Sequence, residues 1–246
     1  MLGCTIDPAL HTMKHTLFLF DLDDTLLDFK ASENLSFVRT MHALGVAGAT
    51  ETLFNYYQPI NVALWRAFEH GTVSKDFLKV ERFRQTFDAA GLVLDPELAS
   101  RLYLASLSDT VVLIDGAIEL CATLAAVGEV GIITNGVDAI QNRRIASSGL
   151  QPHISFVATS EACGYAKPDV RFFEYAMQMA ARAVGKEQAI IIGDRLDADI
   201  LGANRYGIDS IWYNPEQQAH ASAAVPTFEV ASLREIAAAL KNLAMV

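Results

Sequence analysis

Cysteine is scarce in this chain, with three in 246 residues. Cys4, Cys121 and Cys163 are scattered and odd in number and form no CxxC pair. That excludes a disulfide framework or a cysteine zinc site and leaves inert thiols. Basic residues are also in the minority, 19 Lys and Arg against 29 Asp and Glu, for a net charge of −10. Such a field repels nucleic acid polymers and anionic membranes. A small anionic ligand can still bind where a metal ion and a few basic groups reverse the sign locally. Long apolar runs are missing too, and none reaches membrane-spanning length. Residues 1–12 lack the basic start and apolar core of a signal peptide. They read as a loose extension before Met13, the more natural start, and a cytoplasmic protein is expected. The six histidines have no metal-ligand spacing.

Apolar residues make up 52% of the chain and charged ones 20%, the balance of a well-packed globular protein. Its length suits one domain carrying an insertion, or two modest domains. The most informative stretch is Phe18-Leu19-Phe20-Asp21-Leu22-Asp23-Asp24-Thr25. An apolar run over 16–20 stops at three carboxylates within four positions. A short run of this kind predicts a strand buried on both faces, as in a parallel sheet. Ligands of such sheets lie beyond the carboxyl ends of the strands. Two neighbouring carboxylates repel unless a proton or cation lies between them, and a hard, oxygen-seeking ion such as Mg²⁺ is the natural neutraliser. Aspartate can also act as a covalent nucleophile. The competing reading is an acidic turn that caps a helix.

Between residues 30 and 108 no buried strand is predicted. Helices are expected over about 31–44, 50–70, 74–91 and 96–108, with a kink or break at Pro59. Ser74 opens the third and Asp95-Pro96 the fourth. From about 110 strands and helices alternate. Strands fall at Val130–Thr134, Ile154–Thr159, Ala189–Gly193 and Ile208–Tyr213. Helices fall near 116–127, 137–148, 169–184, 197–206 and 232–243. This is the grammar of a Rossmann-like, doubly wound parallel α/β sheet. The domain expectation is an α/β core of residues 14–29 and 109–246, a helical insertion at 30–108 and an N-terminal extension at 1–13.

Three more polar clusters fall just past strand ends or in the loops of that sheet. Thr134-Asn135-Gly136 offers a hydroxyl, an amide and a backbone freed by glycine, suitable donors for a phosphoryl oxygen, or simply a turn. Lys167, in Ala166-Lys167-Pro168, offers a point charge able to hold a carboxylate and a phosphate together, or is an exposed surface lysine. Asp194 and Asp199, after Ile190-Ile191-Ile192-Gly193, offer oxygen ligands, or complement a helix dipole.

In this order the four clusters resemble the signature of the haloacid dehalogenase superfamily: DxDxT at Asp21, Asp23 and Thr25, then Thr134, Lys167, and Asp194 with Asp199. The resemblance spans Lys14 to about Leu240. It implies a sheet of order 5-4-1-2-3 and an inserted helical cap. It implies Asp21 as nucleophile, Asp23 as general acid and base, and Thr134, Asn135 and Lys167 as phosphoryl-binding groups. Mg²⁺ would be held by Asp21, the Asp23 carbonyl and Asp194, with Asp199 a direct or outer ligand. Dehalogenases of the superfamily typically lack the second aspartate, so Asp23 favours the phosphatases. Asn61-Val62-Ala63-Leu64-Trp65, Phe68-Glu69-His70-Gly71 and Glu81-Arg82-Phe83 are similar to the pyrimidine 5′-nucleotidase branch, as is Gln141 after Thr134-Asn135-Gly136. The partner implied is a small phosphorylated metabolite, with Asn61 and Trp65 as candidate substrate contacts. The competing reading of Tyr57, Trp65 and Phe68, aromatics at helical spacing, is that they are core of the insertion. Sugar-phosphate or phosphoglycolate phosphatases, and a non-catalytic phosphate-binding regulator, are the alternatives.

Overall fold

The computed structural model describes residues 13–46, 48–219 and 223–243. The extension expected at 1–13 and Cys4 lie outside the described residues, Met13 apart. The chain divides into two compact units, one built from residues up to Asp28 and from Leu113 onward, the other from Phe29–Val112. No helix among the described residues is long and apolar enough to cross a membrane.

The first unit is a six-stranded, all-parallel sheet. Its strands are β1 (Leu17–Phe20), β2 (Glu129–Thr134), β3 (Phe156–Thr159), β4 (Ala189–Gly193), β5 (Asp209–Tyr213) and β6 (Phe228–Val230), in the order β3-β2-β1-β4-β5-β6. The five expected strands keep the expected order, and β6 is an addition beyond β5. Three residues long, with Glu229 exposed at its centre, β6 carries no apolar run that would announce it. Central strands β1 and β4 are buried throughout because neighbouring strands and helices cover every face. β1 sits between β2 and β4, with Phe20 opposite both Ile132 and Ile192. From β1 the chain moves outward through β2 and β3, then crosses back to β4. The switch point, where such sheets bind ligands, therefore lies between β1 and β4.

The helices of this unit are α5 (Ala117–Ala125), α6 (Asp138–Ser148), the single turn α7 (Ser160–Cys163), α8 (Val170–Met179), α9 (Leu201–Tyr206) and α10 (Ile236–Leu243). Two expectations are corrected in detail. The helix expected to reach 184 ends at Met179, because the backbone extends at Ala180 and the carboxylate of Glu129 takes the Ala181 N–H instead. The helix expected over 197–206 begins as one wide turn, Leu196–Ile200, before α9. Cys121 is buried and its thiol is pushed up to about 12 by that burial, an inert thiol as expected. Where the insertion leaves and returns, Leu27 pairs with Leu113 and Ile114 N–H donates to the Leu26 carbonyl at 3.0 Å. These contacts pin both ends of the insertion to one place.

The second unit consists of α1 (Phe29–Ala43), α2 (Thr50–Glu69), α3 (Lys75–Ala90) and α4 (Pro96–Asp109). Ser74 Oγ and an Asp95 carboxylate oxygen cap α3 and α4, accepting from Phe77 and Leu98 N–H. Pro59 does not break α2. It lies on the exposed face, as does Asn55 one turn earlier, so water can take the carbonyl that proline leaves without a donor. Phe37, Tyr57, Phe83 and Tyr103 form an aromatic core, with Phe37 and Tyr57 ring centroids 4.7 Å apart. Into it runs Arg82, whose guanidinium lies 4.4 Å from the Tyr103 ring and donates to Tyr57 Oη and Asn61 Oδ1.

Candidate active site

The end of β1 carries the sequence Asp21-Leu22-Asp23-Asp24-Thr25 into a tight turn. Asp21 N–H still donates to the Ile192 carbonyl at 2.9 Å, extending the ladder by one residue. Asp24 then adopts φ +59°, a left-handed conformation that aspartate tolerates, and its N–H closes the turn on the Leu27 carbonyl. The turn holds Asp21 and Asp23 at the strand end, leaving Asp21 only 7% exposed.

Four further elements deliver groups to the same place. Lys167 comes from the loop before α8 and is 2% exposed. Its ammonium donates to Asp21 Oδ1 at 2.5 Å, to Asp199 Oδ1 at 2.7 Å and to the Ile133 carbonyl at 2.8 Å. Three acceptors for three protons satisfy it completely. Burial alone would lower the Lys167 pKa, but Asp199 and Asp21 outweigh it and hold the group above the ordinary lysine range. Asp21 is pushed up to about 7, first by burial, with Lys167 opposing and Asp199 and Asp23 adding to the rise.

Asp194 follows β4. Its Oδ1 accepts from Thr25 Oγ1 at 3.2 Å, and its carbonyl accepts from Trp212 Nε1 at 2.8 Å. Burial, then the charges of Asp21, Asp199 and Asp24, raise its pKa well above the usual carboxylate value. Carboxylate oxygens of Asp21, Asp194 and Asp199 all lie within 4.8 Å of one another. An all-oxygen set of mutually repelling acids, two buried and Asp194 half-buried, suits a hard divalent cation, and the residues present fit Mg²⁺ on that ground. Asp199 is held from both sides, Oδ1 by Lys167 and Oδ2 by Arg195 N–H at 3.1 Å. This arrangement assigns it first to fixing Lys167. Gly193 is required here, since a Cβ would collide with the Asp199 carboxylate.

Thr134 ends β2, and its Oγ1 accepts from Gly136 N–H and from Gln141 Nε2, both at 3.0 Å. The side chain of Asn135 faces Lys167 and forms a reciprocal pair with its backbone, at 2.8 and 3.1 Å. Its amide thus positions the lysine segment. Two residues contribute that the sequence reading did not place in the site. From α6, Gln141 Nε2 donates to Asp23 Oδ2 at 2.7 Å and Arg144 Nη1 donates to Asp23 Oδ1 at 2.5 Å. Arg144 is fully buried and also donates to Gln141 Oε1 at 3.0 Å. An arginine on a helix ordinarily signals solvent. The only local cue was Gln141 and Arg144 one turn apart after Thr134-Asn135-Gly136.

In the helical unit, Asn61 is 4% exposed, and its amide donates to Glu33 at 2.7 Å while accepting from Arg82 at 3.3 Å. Trp65 is half-buried and packs edge-on to Phe68 at 5.8 Å, with Lys75 Nζ 5.9 Å and 4.9 Å from the two ring centroids.

Residues 15–207 match the haloacid dehalogenase-like hydrolase family, and the chain belongs to it. It is a hydrolase, and among its relatives are 5′-nucleotidases. It is 38% identical over 225 residues to pyrimidine 5′-nucleotidase PynA of Streptococcus pneumoniae, covering 91% of this chain and 94% of that one. It is 29% identical over 224 residues to pyrimidine 5′-nucleotidase YjjG of Escherichia coli, covering 91% and 97%. Among solved structures it is similar to the HAD-hydrolase YfnB of Bacillus subtilis bound to magnesium, with a TM-score of 0.85 and 34% identity, covering 92% of this chain and 98% of that one.

Proposed function

We propose that this chain is a Mg²⁺-dependent phosphomonoester hydrolase that works through an aspartyl-phosphate on Asp21, acting on pyrimidine nucleoside 5′-monophosphates. The observation that carries the chemistry is Asp21 itself. It is a buried carboxylate at the switch point of a parallel sheet, held 2.5 Å from Lys167 Nζ and beside a second acid, Asp194.

In the first step an Asp21 oxygen attacks phosphorus, the bond from phosphorus to the ester oxygen breaks, and the Asp23 carboxyl gives its proton to the departing alcohol. In the second, Asp23 as carboxylate takes a proton from water, whose oxygen attacks phosphorus. The bond to Asp21 breaks, releasing phosphate and restoring both aspartates. Lys167 and the Thr134 hydroxyl bind the phosphoryl oxygens, and Asp199 and Asn135 hold Lys167 in place. The Asp21 side chain, Asp194 and the Asp23 carbonyl would hold Mg²⁺, which supplies positive charge against the phosphoryl oxygens. The groups above engage only the phosphoryl group, so selection of the leaving group is assigned to the helical unit in the role of a cap.

The substrate class rests on the resemblance to PynA and YjjG and on the aromatic pair Trp65 and Phe68. Stacking a base on an aromatic ring contributes about 1–3 kcal/mol. Asn61 is already engaged by Glu33 and Arg82, so Trp65 is the stronger candidate contact. The test is kcat/KM for UMP, dUMP and dTMP against glucose phosphates and phosphoglycolate, in wild type and in Trp65→Ala. The expected result is a roughly ten- to hundredfold preference for the nucleotides that shrinks in the variant. A wild type that prefers phosphoglycolate or hexose phosphates would overturn the nucleotide assignment and leave the phosphatase chemistry standing.

A further inference from the structure

Gln141 stands between two groups of the site that have different tasks. Its Nε2 carries two protons, one directed at Asp23 Oδ2 at 2.7 Å and the other at Thr134 Oγ1 at 3.0 Å. The orientation of the amide is not arbitrary. Arg144 can only donate, and it donates to Gln141 Oε1 at 3.0 Å, so the oxygen faces the arginine and the NH₂ faces the site. Gly136 leaves the room, because a Cβ there would overlap the Gln141 amide.

Two consequences follow from donor and acceptor counting. Thr134 Oγ1 already accepts from Gly136 N–H and from Gln141, so both lone pairs are occupied and its own proton is left to donate. A hydroxyl that must donate is the form that binds a phosphoryl oxygen. Asp23, meanwhile, is fixed at both oxygens, by Gln141 on one and Arg144 on the other. Its place relative to the phosphoryl site is therefore set by α6 as well as by its own turn.

We propose that Gln141, oriented by the buried Arg144, is a positioning residue that sets two catalytic elements at once: it directs the Thr134 hydroxyl proton toward the phosphoryl group, and it holds Asp23 where it serves the leaving oxygen. This rests on the phosphatase mechanism above, but its hydrogen-bond logic can be read without turnover.

The decisive variant is Gln141→Glu, which keeps size and shape while replacing the NH₂ donor with a carboxylate oxygen. Such an oxygen can only accept from Thr134, reversing that hydroxyl, and it repels Asp23. Gln141→Met and Arg144→Lys accompany it. The first removes both donors without adding charge. The second keeps the cation but loses the guanidinium fork. Folding of each is checked by circular dichroism and thermal melting. Orthovanadate affinity, by titration, reads the phosphoryl site with no chemical step. The ratio of kcat/KM for UMP to that for p-nitrophenyl phosphate reads Asp23, because nitrophenolate leaves without needing a proton while the nucleoside alkoxide does not.

For folded Gln141→Glu we expect vanadate to bind at least tenfold more weakly and the UMP to p-nitrophenyl phosphate ratio to fall at least tenfold. Gln141→Met should move both readouts in the same direction, and Arg144→Lys should retain part of the ratio. Wild-type vanadate affinity in folded Gln141→Glu and Gln141→Met overturns the Thr134 half of the proposal. An equal loss on the two esters overturns the Asp23 half. A wild type that binds vanadate but hydrolyses neither ester would refute the phosphatase function, and vanadate affinity would still decide whether Gln141 sets Thr134.

Discussion

Lys167 donates to Asp21 at 2.5 Å although 146 positions separate them in the chain, and both side chains are almost entirely shut off from water. The same ammonium donates to Asp199 Oδ1 at 2.7 Å and so links the two acids. One cation therefore offsets part of the cost of burying two carboxylates.

Removing that cation should be felt in stability as much as in activity. Lys167→Met strands two buried acids, and we expect it to lower unfolding free energy by about 3–5 kcal/mol in metal-free buffer. Asp199→Asn in the same background should recover part of the loss by removing one charge. Urea denaturation of the two proteins, with EDTA present, checks both statements.

The metal-free site carries a distinctive pH signature. Asp21 is pushed up to about 7 from an ordinary value of 3.8, so between those values the folded protein holds a proton that the unfolded chain has lost. Folding stability should then fall as pH rises from about 4 to about 7, the opposite of a salt-bridged carboxylate. Mg²⁺ binds the ionised acids, so the melting temperature it adds should grow across that window and level off above it. Differential scanning fluorimetry with and without Mg²⁺ measures this, and Asp194→Asn should shrink the gain.

A second titration, at the opposite end of β1 from Asp21, runs the other way. His15 is buried, its Nε2 lies 2.8 Å from Asp209, and its Nδ1 has no hydrogen-bond partner among the described residues. Burial lowers its pKa below 6.5 despite the Asp209 hydrogen bond, so the folded state resists protonation that the unfolded chain accepts. The stability this gives is complete above 6.5 and declines as pH falls below it toward the folded pKa. In Mg²⁺-saturated protein, His15→Phe should flatten the slope of melting temperature between pH 6.5 and about 5.

In the helical unit, the buried amide of Asn61 links Glu33 to Arg82. Asn61→Asp keeps the shape but sets a carboxylate against Glu33. We expect a loss of about 2–3 kcal/mol by urea denaturation. An unchanged stability would contradict the structural role given to this amide.

These contrasts explain how far the sequence could be read. β1 and β4 were legible because Leu17–Phe20 and Ala189–Gly193 are uninterrupted apolar runs that end in acids. Asp21 and Asp194 stood out at the ends of those runs, whereas Thr134 and Lys167 were assigned through the resemblance to the superfamily signature, Lys167 lying in a loop beyond α7. β6 was not legible, since three residues with an exposed glutamate resemble a loop. Nor were Arg144 and the contacts of Gln141, because a polar residue on a helix reads as solvated until its tertiary partners are known. Asn135 was expected to bind phosphate and Asn61 to contact substrate. The partners their amides have, the Lys167 backbone and Glu33 with Arg82, come from distant segments that no local pattern encodes.

The central claim is that phosphate passes through a covalent bond to Asp21. Protein mixed with UMP and Mg²⁺, quenched within one turnover, should carry an acyl phosphate. Borohydride reduces that group to an alcohol and leaves homoserine, identifiable by peptide mass spectrometry. The account predicts homoserine at position 21 and nowhere else, absent when UMP is omitted and absent in Asp21→Asn. Phosphate release by an enzyme that never yields the reduced residue at 21, or that yields it at another aspartate, would contradict it.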